Sequence, residues 1–394
     1  MRSLLLQLIT VASINLYSIP QRRWTSLSTV VAIALVVVVL LGFLAMANGF
    51  ERTIAGSGSD NIAVVLRPGS RAEINSSVSF EQVRLIENAP GIANDHDGNP
   101  LVSPELYIIV NGLKRASNTK ANLPLRGISQ AGAKLRLCDV IAGRMFRSGT
   151  NEIVVGRALL KQFDGLDLGG TVTFGTTRWT VVGVFAAGGG VFESEIWADL
   201  PVVQSLFRRD NQFQTIRVGL TGLAGLGTLQ ALNNGDPRLR LDIKTEAAYF
   251  ADLASQTTDL IQKLGWPLAI AMAIGALAGA LNTMYASVAA RAQEIATLRA
   301  IGFGTFAAFV GTLMESLVLA AAGGVIGAAA TYLIFDGLSA STLGGNFTQV
   351  VFDFQLSPVL VAEGLGMALG VGLLGGIFPA LRSARMPIVA GLAS

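Results

Sequence analysis

Four long apolar stretches constrain what this chain can fold into more than any other feature of its sequence. They run over Leu27–Ala47, Gly265–Ala290, Phe306–Phe335 and Val359–Leu381. As helices, all four are long enough to cross a bilayer, which takes about 20 apolar residues. Only 14% of the chain is charged, against about 25% in ordinary soluble proteins. We therefore expect a membrane protein rather than a soluble enzyme.

The distribution of Lys and Arg predicts the orientation of these helices, because basic residues collect on the cytoplasmic side. Residues 49–263 carry 22 basic and 21 acidic residues, so this large segment is nearly neutral. The pieces expected in the cytoplasm hold one acid, Glu294, and seven arginines: Arg2, Arg22, Arg23, Arg291, Arg299, Arg382 and Arg385. We expect both termini to be cytoplasmic and residues 49–262 to be extracytoplasmic. The predicted fold class is a membrane protein with four transmembrane helices and an α+β extracytoplasmic domain inserted between spans 1 and 2.

The spans divide the chain into segments, and two alternatives stay open near the N-terminus. Residues 4–19 either lie on the cytoplasmic leaflet as an amphipathic helix or pack on the bundle as an apolar leader. Ala45-Met46-Ala47 fits a signal-peptidase site, but the preceding apolar run is longer than the 7–15 residues of a signal peptide, which favours an uncleaved span. The predicted segments are an N-terminal amphipathic helix (1–24), span 1 (25–48), the extracytoplasmic domain (49–262), span 2 (263–290), a short cytoplasmic helix (291–304), span 3 (305–335), an external loop (336–357), span 4 (358–381) and a cytoplasmic tail (382–394).

Residues 49–262 alternate strand-like and helix-like patterns. Ser79 and Gln82 have the spacing of a capping box, which predicts a helix that ends before Pro90. Residues 151–163 read as a strand that runs into a helix. Further strands are predicted at 61–66, 105–110, 123–128, 171–174, 179–185, 215–220 and 238–244, and further helices at 201–207, 223–233 and 246–265.

The sequence shows no obvious catalytic or metal site. One cysteine, Cys138, and one histidine, His96, cannot form an intramolecular disulfide or a Cys/His zinc site. Glu193 and Glu195 alternate as if on one face of a strand, and residues 95–98 form an Asp-rich turn. Since neither has further ligands nearby, we interpret both as structural. The net charge of +3 is too small to indicate a nucleic-acid partner.

Two junctions beside the spans carry the most specific patterns. After span 2, residues 291–302 read R-A-Q-E-I-A-T-L-R-A-I-G. Helical spacing places Arg291, Glu294, Ile295 and Leu298 on one face, and Gly302 is a natural helix stop. A short helix of mixed charge between two spans cannot bury its apolar face alone, which favours docking to a partner. After span 4, residues 375–387 read G-G-I-F-P-A-L-R-S-A-R-M-P.

At these two junctions the chain resembles the FtsX/MacB-type permeases, the membrane subunits of a class of ABC transporters. Residues 79–91, 125–127, 152–160 and 169–183 also resemble the periplasmic core of that family, so the resemblance covers nearly the whole chain. It implies a bacterial inner membrane location, a second permease copy (the same chain or a similar one) and a cytoplasmic ATPase dimer. The chain has no Gly-x-x-x-x-Gly-Lys-Ser/Thr phosphate loop. ATP and Mg²⁺ are therefore expected on a separate ATPase subunit, and this chain is expected to be non-catalytic and to bind no cofactor.

By this resemblance, residues 291–302 match the coupling helix, which docks in a groove of the ATPase. The expected coupling residues are Arg291, Glu294, Ile295, Leu298, Arg299 and Gly302. A second interpretation makes Arg291 and Arg299 anchors of the positive-inside kind. Glu315 lies two to three turns into span 3, where it either pairs with an arginine of the coupling or N-terminal helix or sits at a helix contact.

The function that the resemblance implies is mechanotransmission. ATP binding would close the ATPase pair, and the coupling helices would carry this movement to the extracytoplasmic domains. The exported or extracted substrate would be a lipid, lipoprotein, glycolipid, peptide or drug, and a periplasmic adaptor and an outer-membrane channel are left open. The alternatives are an FtsX-like signalling subunit that controls a cell-envelope hydrolase, and an independent receptor. The size of the domain between spans 1 and 2 favours export.

Small residues recur in the spans as four Gly-x-x-x-Gly pairs. They lie at 275/279, 323/327, 366/370 and 372/376. Such pairs let two helices approach closely, either within one chain or between two copies. The sequence leaves open which pair serves which contact.

Overall fold

The computed structural model describes residues 2–17, 23–136, 138–343 and 349–389. The chain forms two compact units. The helical unit comprises Met1–Asn48, Leu260–Leu338 and Phe354–Ser394, and the sheet unit comprises Gly49–Asp259 and Ser339–Asp353. The chain passes from one unit to the other at four points, so the two units share four covalent connections.

Helices and strands alternate along the described residues. The helices are α1 (Arg2–Tyr17), α2 (Arg23–Ala55), α3 (Phe80–Glu87), α4 (Gln130–Leu135), α5 (Arg157–Leu160), α6 (Leu200–Leu206), α7 (Leu223–Gly235), α8 (Glu246–Ala290), α9 (Ala292–Ala300), α10 (Thr305–Phe335) and α11 (Pro358–Arg385). The strands are β1 (Ile62–Leu66), β2 (Val102–Leu113), β3 (Lys120–Ile128), β4 (Asp139–Gly143), β5 (Glu152–Gly156), β6 (Thr171–Phe174), β7 (Thr177–Ala186), β8 (Ile196–Asp199), β9 (Thr215–Gly219), β10 (Asp242–Thr245), β11 (Ser339–Leu343) and β12 (Gln349–Asp353).

Four helices are long and apolar enough to cross a membrane, namely α2, α8, α10 and α11. These are the four spans expected from the sequence, and the α+β domain lies between the first and the second. The predicted fold class is therefore confirmed.

Glycines set the closest helix contacts inside the helical unit. A Cβ atom added at Gly327 of α10 would lie 2.7 Å from the carbonyl oxygen of Ala34 in α2. One added at Gly372 of α11 would lie 2.3 Å from the Cβ of Ala320 in α10. The pairs 323/327 and 372/376 thus serve contacts within this chain. At 275/279 and 366/370 an added Cβ would meet nothing within 4 Å in the described part of the chain.

The sheet unit is built on one ten-stranded sheet in the order β10-β1-β9-β2-β3-β8-β5-β7-β4, with β6 beside β7. The pairs β3–β8 and β5–β7 are parallel, and the other pairs are antiparallel. Strand β2 changes partner along its length. Residues 102–105 pair with β9, and residues 106–113 pair with β3.

The core of the sheet unit forms where apolar strand residues meet the helices that cover them. Its fully buried side chains include Phe163 and Trp179. Helix α3 covers part of this core and begins with the predicted capping box, which is confirmed. The Ser79 Oγ accepts a hydrogen bond from the Gln82 N–H at 3.2 Å, and the Gln82 Oε1 accepts one from the Ser79 N–H at 3.0 Å.

Three parts of the chain differ from the sequence-based expectations. Ser339–Leu343 and Gln349–Asp353, expected to lie in an external loop, form the paired strands β11 and β12 of the sheet unit. Glu193 and Glu195 do not share a strand face, because residues 188 and 189 turn the chain with positive φ and Val191–Ser194 form a 3₁₀ helix. Strand β10 begins only at Asp242, since the alternation in residues 238–241 reflects buried leucines around a turn rather than strand pairing.

Candidate coupling site and a buried ion network

Helix α9 is a separate short helix because the backbone leaves the helical conformation on both sides of it. Arg291, between α8 and α9, has φ −111° and ψ 15°. Gly302 has φ +105°, in the left-handed region where glycine ends helices. The Gly302 N–H donates to the carbonyl of Arg299 at 3.2 Å. The predicted helix stop at Gly302 is confirmed.

Arg291 is the centre of a polar cluster that is buried except for Glu294. Its Nη1 lies 3.3 Å from the Oε2 of Glu315, its Nε donates to Glu294 at 3.0 Å, and its Nη2 donates to the Oδ1 of Asn15. The Ser287 Oγ donates to the other carboxylate oxygen of Glu315 at 3.2 Å. The side chains of Arg291 and Glu315 are 7% and 3% exposed. These five side chains, called the Arg291 cluster below, connect α1, α8, α9 and α10.

The apolar side of α9 packs on its own chain. Ile295 is buried with Val288 of α8 and Ala308 of α10, and Met386 after α11 packs against them. The Nη1 of Arg299 donates to the carbonyl of Met386. The chain itself thus covers Ile295, whereas Leu298 on the same side is only half-buried, and docking of α9 to a partner stays a prediction.

The exposed side of α9 differs from the side that carries Ile295. Of the six expected coupling residues, Arg291 and Ile295 are buried, Leu298 and Arg299 are half-buried, and Glu294 and Gly302 are exposed. Ile301, just after α9, is 70% exposed although it is apolar. We define the α9 outer face by its exposed residues: Gln293, Glu294, Thr297, Ala300 and Ile301.

Helix α1 packs on α10. A Cβ added at Gly311 of α10 would lie 2.7 Å from Val11 and 2.8 Å from the side-chain nitrogen of Asn15. The Gln7 side chain accepts a hydrogen bond from the Gly304 N–H at 3.3 Å. Of the two alternatives for residues 4–19, these contacts support packing on the bundle. Arg22, expected beside lipid headgroups, lies outside the described residues.

A second cluster of charge, which was not predicted from the sequence, lies inside the sheet unit. Arg126 of β3 donates to Glu195 at 2.8 and 2.6 Å and to Glu73 at 3.1 and 2.8 Å. Arg217 of β9 donates to Glu73 at 2.8 Å and to Glu246, the first residue of α8, at 2.7 Å. The ion network consists of Glu73, Glu105, Arg126, Arg136, Glu195, Arg217 and Glu246, all buried.

Arginines keep two carboxylates of the ion network, Glu73 and Glu105, ionised. Burial by itself would raise the pKa of Glu73, but Arg126 and Arg217 lower that pKa to about 2. Burial would also raise the pKa of Glu105, which Arg136, Arg217 and Arg126 lower instead. The sequence signal was a single basic residue inside an apolar strand, in L-P-L-R-G-I and in T-I-R-V-G.

Glu193 belongs to a separate pair beside this network. Its carboxylate accepts hydrogen bonds from Arg157 at 3.0 and 3.2 Å and from the N–H groups of Ala187 and Gly189 at 2.8 and 2.9 Å. Glu193 and Glu195 therefore each have an arginine partner, which the sequence did not predict. Because their oxygens are held by guanidinium and amide groups, these glutamates are structural.

Other candidate reactive groups have structural environments. Burial raises the pKa of the Cys138 thiol to about 12, so it stays protonated at neutral pH. Asp95 accepts hydrogen bonds from the N–H groups of Asp97 and Asn99 and pairs with Lys134 at 3.0 Å, as in a surface turn. Among the described residues, no three His, Cys, Asp or Glu side chains are grouped to hold a metal ion.

In chain order, the described residues form a membrane-length helix, a large sheet domain, a second membrane-length helix, a short helix and two further membrane-length helices. Two family models match the chain. Residues 26–231 match the MacB-like periplasmic core domain, and residues 267–388 match the FtsX-like permease C-terminal model. The chain therefore belongs to the FtsX/MacB-type family of ABC-transporter permeases.

Curated relatives carry names of the same family. The macrolide export ATP-binding/permease protein MacB of Wolinella succinogenes is 25% identical over all of this chain and 62% of its own length. Its namesake in Azoarcus sp. is 26% identical over 93% of this chain and 56% of its own length. This chain thus spans less than two thirds of these relatives. Among solved structures, the periplasmic region of MacB from Actinobacillus actinomycetemcomitans covers 52% of this chain and 95% of its own, with 14% identity and a TM-score of 0.37.

Replacing Glu315 is expected to destabilise the helical unit. Glu315→Ala leaves the buried guanidinium of Arg291 without its carboxylate in α10, a loss of about 3–5 kcal/mol. Glu315→Gln retains an oxygen that accepts hydrogen bonds and should cost less. The measurement is the thermal unfolding midpoint of the purified full chain in detergent. Glu363→Ala, at an exposed position of α11, is the control, and equal midpoints for the two alanine variants would contradict a structural role of the pair.

Replacing Arg126 is expected to destabilise the sheet unit. Arg126→Met leaves Glu73 and Glu195 without a shared guanidinium in a buried site, for a loss of about 3–5 kcal/mol. The control is Arg238→Met, which removes an exposed pair with Asp236 and should leave the midpoint unchanged. Fluorescence of the buried Trp179 and Trp197 follows the unfolding. A wild-type midpoint for Arg126→Met would show that the network adds nothing to stability.

Proposed function

We propose that this chain is the permease part of an ATP-driven exporter that couples a cytoplasmic ATPase dimer to movements of its sheet unit. The observation that carries the proposal is the Arg291 cluster. In it, Arg291, at the start of α9, binds Asn15 of α1 and Glu315 of α10, and Ser287 of α8 also donates to Glu315. A force applied to α9 would therefore reach three other helices through buried, hydrogen-bonded side chains.

The α9 outer face is the proposed docking surface for the ATPase. It combines the exposed apolar side chain of Ile301 with the polar groups of Gln293, Glu294 and Thr297. A shallow apolar contact with a polar rim is the usual composition of a protein–protein interface. The buried residues Arg291 and Ile295 would hold α9 in place while its outer side contacts the partner. Because Arg299 is only half-buried, it can both hold α9 in place and contact the partner.

ATP and Mg²⁺ are assigned to an ATPase that lies outside these 394 residues. The sequence contains no phosphate-binding loop of the Gly-x-x-x-x-Gly-Lys-Ser/Thr type. The longer relatives are named ATP-binding/permease proteins, which supports an ATPase as the partner of the part described by this sequence. In this scheme the chain itself is non-catalytic.

The proposed substrate is a lipid, lipoprotein, glycolipid, peptide or drug that is moved outside the bilayer centre. The one acid buried among the described residues of the four long apolar windows, Glu315, is paired with Arg291. Such a pair offers no polar path for an ion or a hydrophilic solute across the membrane. The MacB-like core domain in residues 26–231 supports export over control of an envelope hydrolase, the alternative function.

A second copy of the permease is proposed to cover α8. Only 22% of the most apolar part of α8 is buried in the single chain, against 56% for α2. The glycines at 275 and 279 lie on this uncovered surface. Small residues four apart allow close packing against another helix. We therefore place the contact between two copies at this part of α8.

Docking of the ATPase at the α9 outer face predicts a site-specific loss of binding. Ile301→Glu introduces a charge into the proposed apolar contact and should remove the ATPase that co-purifies with the tagged chain in mild detergent. Leu333→Glu, at an exposed apolar residue near the C-terminal end of α10, is the matched control and should retain it. Co-purification of a stoichiometric ATPase with both variants would exclude this surface.

The proposed dimer contact predicts a different result for two matched double variants. Gly275→Leu with Gly279→Leu adds bulk where the single chain has room, so the fold should persist while the dimer is lost. Gly366→Leu with Gly370→Leu adds equal bulk on α11 and should leave the dimer intact. Mass photometry of the purified chains gives the oligomeric state, and a dimer that survives the α8 substitutions would place the contact elsewhere.

A further inference from the structure

The short segment Val191–Glu195 makes contacts that its sequence does not suggest. It consists of a 3₁₀ helix followed by one extended residue, and it lies between β7 and β8. Phe192, Glu193, Ser194 and Glu195 are each at most 4% exposed. A connection between two strands usually lies on the protein surface and makes few fixed contacts. Here the segment is buried, so each of its groups has a specific neighbour.

Its first contact is with the end of α2. The Ser57 Oγ accepts a hydrogen bond from the Val191 N–H at 2.6 Å and donates to the carbonyl of Thr53 at 2.5 Å. Residues 57–59 also touch the beginning of α8. A Cβ added at Gly58 would lie 2.4 Å from the Cα of Ala247. The chain that arrives from the first membrane helix is thus fixed on this segment.

Its second contact is with α8. The ring of Phe192 meets the ring of Phe250 edge-on, with centroids 5.6 Å apart. Next to this contact, Glu195 binds Arg126, and through the ion network Arg126 and Arg217 lead to Glu246 at the first turn of α8. The chain that departs toward the second membrane helix therefore begins on the same segment.

Its third contact is with the paired strands β11 and β12, through which the chain passes between α10 and α11. The Ser194 Oγ accepts a hydrogen bond from the Val351 N–H at 3.0 Å, and both groups are buried. Val351 also belongs to the core of the sheet unit. The close approach of β5 fixes the segment from behind, since a Cβ added at Gly156 would lie 2.2 Å from the carbonyl oxygen of Glu193.

We propose that Val191–Glu195 is a mechanical junction that joins the chain connections of all four membrane helices within the sheet unit. The end of α2, the start of α8 and strand β12 are far apart in the sequence. Val191–Glu195 contacts each of them through a different group. A displacement of any one connection therefore reaches the other two through the junction. This inference rests on the proposed mechanotransmission, to which it adds the residues that receive the motion.

Hydrogen–deuterium exchange of the full chain in detergent tests the junction. Ser194→Ala removes the acceptor of the Val351 N–H, and the amides of β12 should exchange about tenfold faster, the effect of one lost buried hydrogen bond. The expected signature is faster exchange at the end of α2 and in the first turns of α8 as well. Ser57→Ala, which acts from the opposite side, should in turn increase exchange in β12.

The matched control is Ser148→Ala. Ser148 donates to Asp199 at 3.1 Å in the same unit and has no hydrogen bond to Val191–Glu195 among the described residues. It should change exchange only near residues 148–150 and 199. The junction is overturned if Ser194→Ala and Ser57→Ala each act only on their own partner, or if Ser148→Ala gives the same three-segment pattern. The ATPase coupling is tested separately by Ile301→Glu. The result for that variant does not change the exchange patterns expected for the junction.

Discussion

A carboxylate inside an apolar helix bundle requires a partner, because an isolated buried charge costs several kcal/mol. Glu315 of α10 is such a carboxylate, and Arg291 is its partner. The guanidinium of Arg291 has further donors, which bind Asn15 of α1 and Glu294 of α9. Satisfying one buried charge thus fixes the positions of three helices around α10. The orientation of α9 follows, with its apolar side inward and Ile301 outward.

The sheet unit obeys the same constraint on a larger scale. Its ion network places arginines from β3 and β9 among carboxylates from four other chain segments. Such a network stabilises less than its number of contacts suggests, since desolvation offsets much of the attraction. The network nevertheless restricts the positions of these segments strictly, because every guanidinium must lie within hydrogen-bond distance of its carboxylates. The network thereby fixes the relation of the sheet to the first residue of α8.

Both clusters bear on the proposed function in the same way. A permease that transmits force requires elements that move as rigid bodies, and buried ion pairs with several hydrogen bonds provide that rigidity better than exposed pairs. The Arg291 cluster does this where α9 joins the helical unit. The junction Val191–Glu195 and the ion network do this where the connections of the sheet unit begin. In the proposed function, the Arg291 cluster would receive the motion of the ATPase, and the junction and the ion network would pass it on.

The sequence by itself determined the features that depend on neighbours along the chain. Apolar length defined the four spans, the Ser79–Gln82 spacing defined the start of α3, and Gly302 defined the end of α9. It did not reveal which charges would be buried together. Asn15 and Arg291 are 276 residues apart, and Glu73 meets Arg126 and Arg217 only through the order of the strands. The outward face of α9 and the place of strands β11 and β12 were likewise decided by tertiary packing, because burial depends on what the rest of the chain leaves uncovered.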